Sequence, residues 1–262
     1  MSETPAKTPT ERISTALRAA AKHGQPALVA FLTAGYPDRA RFREHLADIA
    51  SAADVVEIGV PFTDPMADGV TIQRASLAAL AQGVTLEWIL AELEEIRGVS
   101  TPLLLMSYLN PLLAFGVARL AQRAARAGVA GFIVPDLPLD ESSELRAALD
   151  AEQLALVQMV TPVTEPARLR QLCAGSQGFV YAVTMTGTTG KHVAVPDEVI
   201  SYLDRVRASS PLPVCAGFGI RSREQVQRLR GHVDGVVIGS ALVEVLERGE
   251  DPTAWLRQLR FN

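Results

Sequence analysis

The sequence predicts an α/β fold, a (β/α)₈ barrel of the TIM type forming a single domain over residues 1–262. Three observations predict it. Eight short β-rich runs alternate with amphipathic stretches, and no linker or low-complexity tract interrupts them. The interiors of these runs, among them Val55-Val56, Leu103-Leu104-Leu105 and Val236-Val237-Ile238, are continuously apolar, as strands buried on both faces of a parallel sheet read. The chain length also matches the roughly 250 residues that such a barrel occupies as one unit. An open doubly wound sheet is the alternative. Against it, the first βα turn reads Thr33-Ala34-Gly35-Tyr36-Pro37 and carries no G-x-G-x-x-G fingerprint.

The expected strands are, in order, Ala27–Thr33, Asp54–Gly59, Pro102–Ser107, Ala130–Val134, Leu154–Val160, Gly178–Thr184, Pro213–Gly217 and Val233–Ile238. A helix over about Glu11–Ala21 precedes the first of them, with residues 1–10 expected to form a flexible tail. Over Arg41–Ala50 the apolar Phe42, Leu46, Ile49 and Ala50 share one helical face, while Arg43, Glu44 and Asp48 point away. Pro196–Val206 and Ser222–Leu229 repeat that pattern. A short helix opens at Ser240 after the eighth strand. Asp251-Pro252 starts a last helix, with proline suited to its first position.

Composition bounds the function. Hydrophobic residues make up 48% of the chain and charged residues 21%, which is ordinary globular usage. The net charge is −4 and no Lys/Arg-rich run occurs, which argues against a nucleic-acid or anionic-membrane partner. Residues 1–11 are polar, unlike a signal peptide, and no apolar run approaches the roughly 18 residues of a membrane span. A cytoplasmic protein is expected, with Cys173 and Cys215 as buried free thiols.

Active sites of such barrels lie at the C-terminal ends of the strands. Three clusters occupy those positions. Gly217-Phe218-Gly219 and Gly239-Ser240 follow strands seven and eight, where the fold often binds phosphate on glycine turns and helix amides. Gly187-Thr188-Thr189-Gly190, after strand six, could close over the same group. Each glycine alone could simply make a tight turn. Glu57 stands in an apolar strand, where a carboxylate is costly unless paired, protonated or functional. Burial would raise its pKa and suit it to donating a proton near neutral pH, and a structural ion pair is the alternative. The loop Pro61–Gly69 then carries Asp64 and Asp68 over the barrel mouth, where acidic residues are often only solvated.

Absences narrow the chemistry. The only lysines are Lys7, Lys22 and Lys191, none in an expected strand, which disfavours a Schiff-base aldolase. His23, His45, His192 and His232 lack zinc-ligand spacing, and no metal is expected. What remains is acid–base chemistry on a phosphorylated small molecule, without metal or cofactor.

The run Glu57-Ile58-Gly59-Val60-Pro61-Phe62-Thr63-Asp64-Pro65-Met66-Ala67-Asp68-Gly69-Val70-Thr71-Ile72-Gln73 closely resembles the signature of the tryptophan synthase α chain family. The likeness extends through Phe31–Pro37, Tyr108-Leu109-Asn110-Pro111, Pro135-Asp136-Leu137-Pro138, Tyr181 with Gly187–Gly190, Gly217–Ile220 and Gly239-Ser240. The resemblance implies retro-aldol cleavage of indole-3-glycerol phosphate to indole and glyceraldehyde 3-phosphate. It implies that Glu57 and Asp68 are catalytic, with Glu57 moving the protons and Asp68 accepting the indole N–H. It implies substrate contacts from Tyr181, Thr189, Phe218 and Tyr108, and phosphate contacts from Gly190, Gly217, Gly219, Gly239 and Ser240. It also implies an α₂β₂ heterotetramer with a β chain that carries pyridoxal phosphate and converts the indole, with L-serine, to L-tryptophan. The loop Pro61–Asp68 and the segment Tyr108–Pro111 would lie at that interface. Met185 and Thr188 depart from the family's usual arginine and apolar residue in the sixth loop. A free-standing lyase of the same chemistry is the alternative reading, and other phosphate-binding barrels are disfavoured because they lean on a strand-borne lysine.

Overall fold

The computed structural model describes residues 8–22, 24–184, 195–217 and 219–261. Eight parallel strands close into a barrel in chain order: β1 (Ala27–Thr33), β2 (Val55–Gly59), β3 (Leu103–Met106), β4 (Val129–Ile133), β5 (Ala155–Val160), β6 (Val180–Val183), β7 (Val214–Gly217) and β8 (Gly235–Ile238). Helix α1 (Pro9–Lys22) precedes them and α2 (Phe42–Ala52) follows β1. Helices α3 (Val70–Ala81) and α4 (Leu86–Glu95) follow β2, and α5 (Leu109–Phe115) and α6 (Val117–Arg126) follow β3. Then come α7 (Ser143–Ala151), α8 (Pro166–Gly175), α9 (Asp197–Ser209) and α10 (Arg223–Leu229), each after the next strand. Helices α11 (Ser240–Glu247) and α12 (Pro252–Gln258) follow β8.

Every expected strand is present, β1 with the bounds expected and the others with an end moved by at most two residues. Asp54 and Asp234 explain two of the late starts. Instead of opening β2 and β8, their carboxylates accept from the Leu28 and Val214 amides at 2.8 Å and tie adjacent strands together. The strands read as continuous apolar runs because both faces are covered. Leu28, Ala30, Leu32, Val56 and Ile58 face the helices in one core, while Val29, Phe31, Val55, Leu104 and Tyr181 fill the barrel interior in another. In α2 the expected apolar face is buried, and His45 is buried with it.

The first helix begins at Pro9, inside the stretch expected to be a tail. The reason is local. Thr8 accepts from the Glu11 amide through its hydroxyl at 3.2 Å, and the Glu11 carboxylate accepts from the Thr8 amide at 2.9 Å. This reciprocal capping box, with proline at the first helical position, satisfies donors that a helix start would otherwise leave open.

Helix α1 lies across the N-terminal end of the barrel. Its Ile13 and Leu17 are fully buried in the interior core, Ile13 against Gly178 and Leu17 against Gly235. Arg12, Ser14 and Arg18 bond the carbonyls of Ser100, Gly178 and Pro211, each in a segment that leads into a strand. The barrel is thus stoppered at one end and opens only at the other. Leu17→Ala is expected to lower the unfolding free energy by about 2–5 kcal/mol, read from urea denaturation. A loss below about 1 kcal/mol would mean that the helix is not part of the core.

Candidate active site

The open end is built by residues that alternation turns inward. On β1 these are Phe31 and Thr33, and on β2 they are Glu57 and Gly59. Glu57 sits in register between Phe31 and Leu104, 1% exposed. Its Oε2 has no hydrogen-bond partner, and no ion pair reaches it among the described residues. A structural salt bridge therefore does not account for it. Burial, and after it the charge of Asp68, pushes its carboxyl up to about 8, so it holds its proton at neutral pH.

Two glycines make room around it. A Cβ on Gly59 would stand 2.5 Å from Cζ of Phe31, whose ring crosses that position. A Cβ on Gly217 would overlap the Tyr181 hydroxyl. Tyr181 is buried in β6, and burial followed by the Glu57 charge raises its phenol well above the ordinary value. Close backbone approach, rather than turn geometry, is the reason for glycine at both sites.

The loop after β2 divides its two acids. Asp64 is exposed, its carboxylate accepting from the neighbouring Thr63 hydroxyl. Asp68 is half-buried, and burial raises its carboxyl to about 6 against the lowering effect of a bond donated by the Tyr108 phenol. The same phenol oxygen accepts from the Ala67 amide at 2.8 Å, and the Tyr108 ring stacks on Phe62 with centroids 5.3 Å apart. Gln73 of α3 donates to the Asp68 carbonyl at 2.8 Å. Tyr108 thus lies beneath the loop and holds Asp68 in place. Asp136 in turn holds the Tyr108 segment, because its carboxylate accepts from the Leu109 amide at 2.9 Å.

Beyond β1, at the end of β8, Gly239 opens α11 with no side-chain cap on the first turn, and a Cβ at Gly239 would meet open space. Packing therefore does not require glycine there, and the uncapped amides of the first turn can receive an anion. Gly219 is exposed in the left-handed region, with φ of 84°. Sequence reasoning missed Arg221, two residues further on. Its guanidinium lies 3.4 Å from Ser240 Oγ and pairs with Glu244, placing a cation at the first turn of α11. An arginine closing a glycine turn was the available signal. Thr189, Gly190 and Phe218 lie outside the described residues, as do Met185, Thr188, Lys191 and His192. Cys173 and Cys215 are both free and buried, and no metal-binding cluster occurs among the described residues.

The model of one family, the tryptophan synthase alpha chain, matches residues 17–261. The tryptophan synthase alpha chain of Nitratidesulfovibrio vulgaris strain Hildenborough is 44% identical over 248 residues, covering 94% of this chain and 96% of that one. That of Desulfovibrio desulfuricans is 46% identical over 237 residues, covering 89% and 93%. Among solved structures, tryptophan synthase from M. tuberculosis in its aminoacrylate-bound form superposes with a TM-score of 0.86 at 34% identity, covering 95% of this chain and 97% of that one. The alpha subunit from Legionella pneumophila strain Paris superposes with a TM-score of 0.85 at 30% identity, covering 97% and 96%.

The state of Glu57 has a thermodynamic signature. Its folded pKa of about 8 exceeds the ordinary 4.5, so between these values the folded chain binds the extra proton. Its contribution to stability is present below pH 4.5 and is lost as pH rises through that window. Glu57→Gln carries no such titration. Relative to the parent it should gain stability from pH 5 to pH 8, by at least about 1 kcal/mol in urea denaturation. A constant difference across that range would mean that Glu57 is ionised throughout.

Proposed function

This chain belongs to the tryptophan synthase alpha chain family, and on that premise we propose that it cleaves indole-3-glycerol phosphate to indole and glyceraldehyde 3-phosphate. The observation that carries the reading is Glu57, a buried and unpaired carboxyl that keeps its proton at neutral pH and feels Asp68 across the mouth.

The chemistry follows from that arrangement. Glu57 donates its proton to the ring carbon that bears the glycerol chain, leaving a cationic indole. Asp68 accepts the ring N–H and opposes that positive charge with its own. The bond between ring and chain then breaks. Its electron pair restores the aromatic ring, and the hydroxyl on the departing carbon becomes the aldehyde as its proton passes to the Glu57 carboxylate. Glu57 gives one proton and regains one, so it ends as it began. A proton thus takes the place of a Schiff base as electron sink. Lys22, the one lysine among the described residues, lies in α1 and far from the mouth in the fold.

The remaining assignments share this reading. We assign the ring contacts to Tyr181, Tyr108, Thr189 and Phe218, and the phosphate contacts to Gly190, Gly217, Gly219, Gly239 and Ser240. The open space over Gly239 supports the second group. We place the chain as one domain over residues 1–262, itself without a cofactor, in a cytoplasmic α₂β₂ heterotetramer. Its β chain carries pyridoxal phosphate and joins the indole to L-serine to make L-tryptophan. Among the described residues no single helix is long and apolar enough to cross a membrane. One observation supports the assembly. Met66, Val70 and Leu113, in the catalytic loop, α3 and α5, are exposed apolar residues at the open end, Met66 by 87%.

The direct test is indole release from indole-3-glycerol phosphate, with and without a β chain. Turnover that needs no β chain would favour the free-standing lyase. Glu57→Gln keeps the shape of the carboxyl but has no proton it can transfer, and turnover should fall by at least about 100-fold. Asp68→Asn can still accept the N–H but cannot oppose the ring's charge. We expect turnover to fall by at least about tenfold while the Michaelis constant changes little. A raised Michaelis constant with turnover intact would reduce Asp68 to a binding contact.

A further inference from the structure

The inner face of β1 ends in a hydroxyl that the protein itself does not use. Thr33 follows Val29 and Phe31 on the inward side, is 1% exposed, and its Oγ1 has no hydrogen-bond partner. Comparable hydroxyls at the ends of other strands are tied to the backbone. Ser107 donates to the Tyr108 carbonyl, and Thr184 donates to the Gly217 carbonyl at 2.8 Å. A buried hydroxyl without a partner is destabilising and calls for an explanation. Only Thr33 Oγ1, His45 Nδ1 and Glu57 Oε2 are in that condition among the described side chains. Thr33 and Glu57 face the same mouth from adjacent strands, Thr33 in register with Gly59 and Glu57 with Phe31.

Topology says what passes over Thr33. Strand β1 lies between β8 and β2 in the closed barrel. On the proposed reading the ring stands at Glu57 and Asp68, at the end of β2, and the phosphate rests on Gly239 and Ser240, after β8. The glycerol chain that joins them must cross the end of β1. That chain carries two hydroxyls. The one beside the ring loses its proton in the reaction, and the one nearer the phosphate is a spectator. Thr33 offers one donor and two acceptor sites, which suits either hydrogen-bonding role toward an alcohol.

We propose that Thr33 binds substrate, its hydroxyl holding the spectator hydroxyl of the glycerol chain. Fixing that carbon fixes rotation about the neighbouring bond. The bond that breaks is then presented across the plane of the ring, where its electrons can join the ring system. This rests on the proposed cleavage reaction and adds to it a residue that reads the chain between the ring and the phosphate.

The experiment compares parent, Thr33→Val and Thr33→Ser on indole-3-glycerol phosphate, and on 3-(3-phosphopropyl)indole, which has neither hydroxyl. Valine matches threonine in shape and removes only the hydroxyl. We expect Thr33→Val to lower kcat/KM for indole-3-glycerol phosphate about tenfold, while binding of the hydroxyl-free compound stays within about twofold. Thr33→Ser should recover most of the loss, and the melting temperature of Thr33→Val should not fall. The proposal is overturned if Thr33→Val keeps full kcat/KM, or if both compounds are weakened equally, which would mark Thr33 as part of the pocket's shape. Absence of turnover in the parent chain with a β chain would instead remove the cleavage reading, and this proposal with it.

Discussion

A carboxyl group inside an apolar barrel is the constraint around which the rest of this molecule is organised. Glu57 lies among Phe31, Leu104 and the interior core, and it could be buried as an ion only against a cation that the described residues do not offer. It is therefore held neutral, as its upward-shifted pKa reflects. Burial of this kind selects against the charged state without specifying a partner, and it leaves the group ready to give up its proton to a base that arrives from outside. Gly59 and Gly217 keep Phe31 and Tyr181 pressed close to the backbone, so space opens at Glu57 without opening the core beneath it.

Asp68 is governed by a different balance. It sits on a loop, where water could reach it, and is kept half-buried by Tyr108, Phe62 and Gln73. The phenol of Tyr108 offsets part of the effect of burial, so Asp68 ionises well below Glu57. Two carboxyls in one mouth are thus separated in function by their surroundings, one neutral and one charged at neutral pH. A second polar chain joins this loop's helix to α11, beyond β1 in the barrel. Thr71 of α3 bonds Glu244 of α11 at 3.4 Å, and Glu244 pairs with Arg221, which reaches Ser240. The segment after this loop and the first turn of α11 share one acidic residue.

Much of this was legible in the sequence, for physical reasons that differ by element. The strands stood out because burial on both faces removes the alternation that a half-exposed sheet would show. Glu57 stood out because a carboxylate within such a run breaks the pattern. The start of α1 was misread because Thr8-Pro9-Thr10-Glu11 is polar, although its threonine and glutamate at capping-box spacing carried the signal. Thr33 raised no suspicion, since threonine is common in strands and only the bonding inventory of the folded chain shows its hydroxyl idle. The scaffolding role of Tyr108 and the pairing of Arg221 depend on contacts between residues tens of positions apart, and no local pattern encodes them.

The helix across the N-terminal end has a consequence for traffic. With Ile13 and Leu17 sealing that end, the barrel is a blind vessel. On the proposed reading, a ring released at Glu57 has no rear exit and leaves by the open end, whose rim carries the loop bearing Met66 and the start of α3 at Val70. They are among the exposed apolar residues at that end, with Leu113 and Val163. In the proposed assembly the departure route and the site of handover therefore coincide. Direction of transfer is then a property of the closed floor of the barrel.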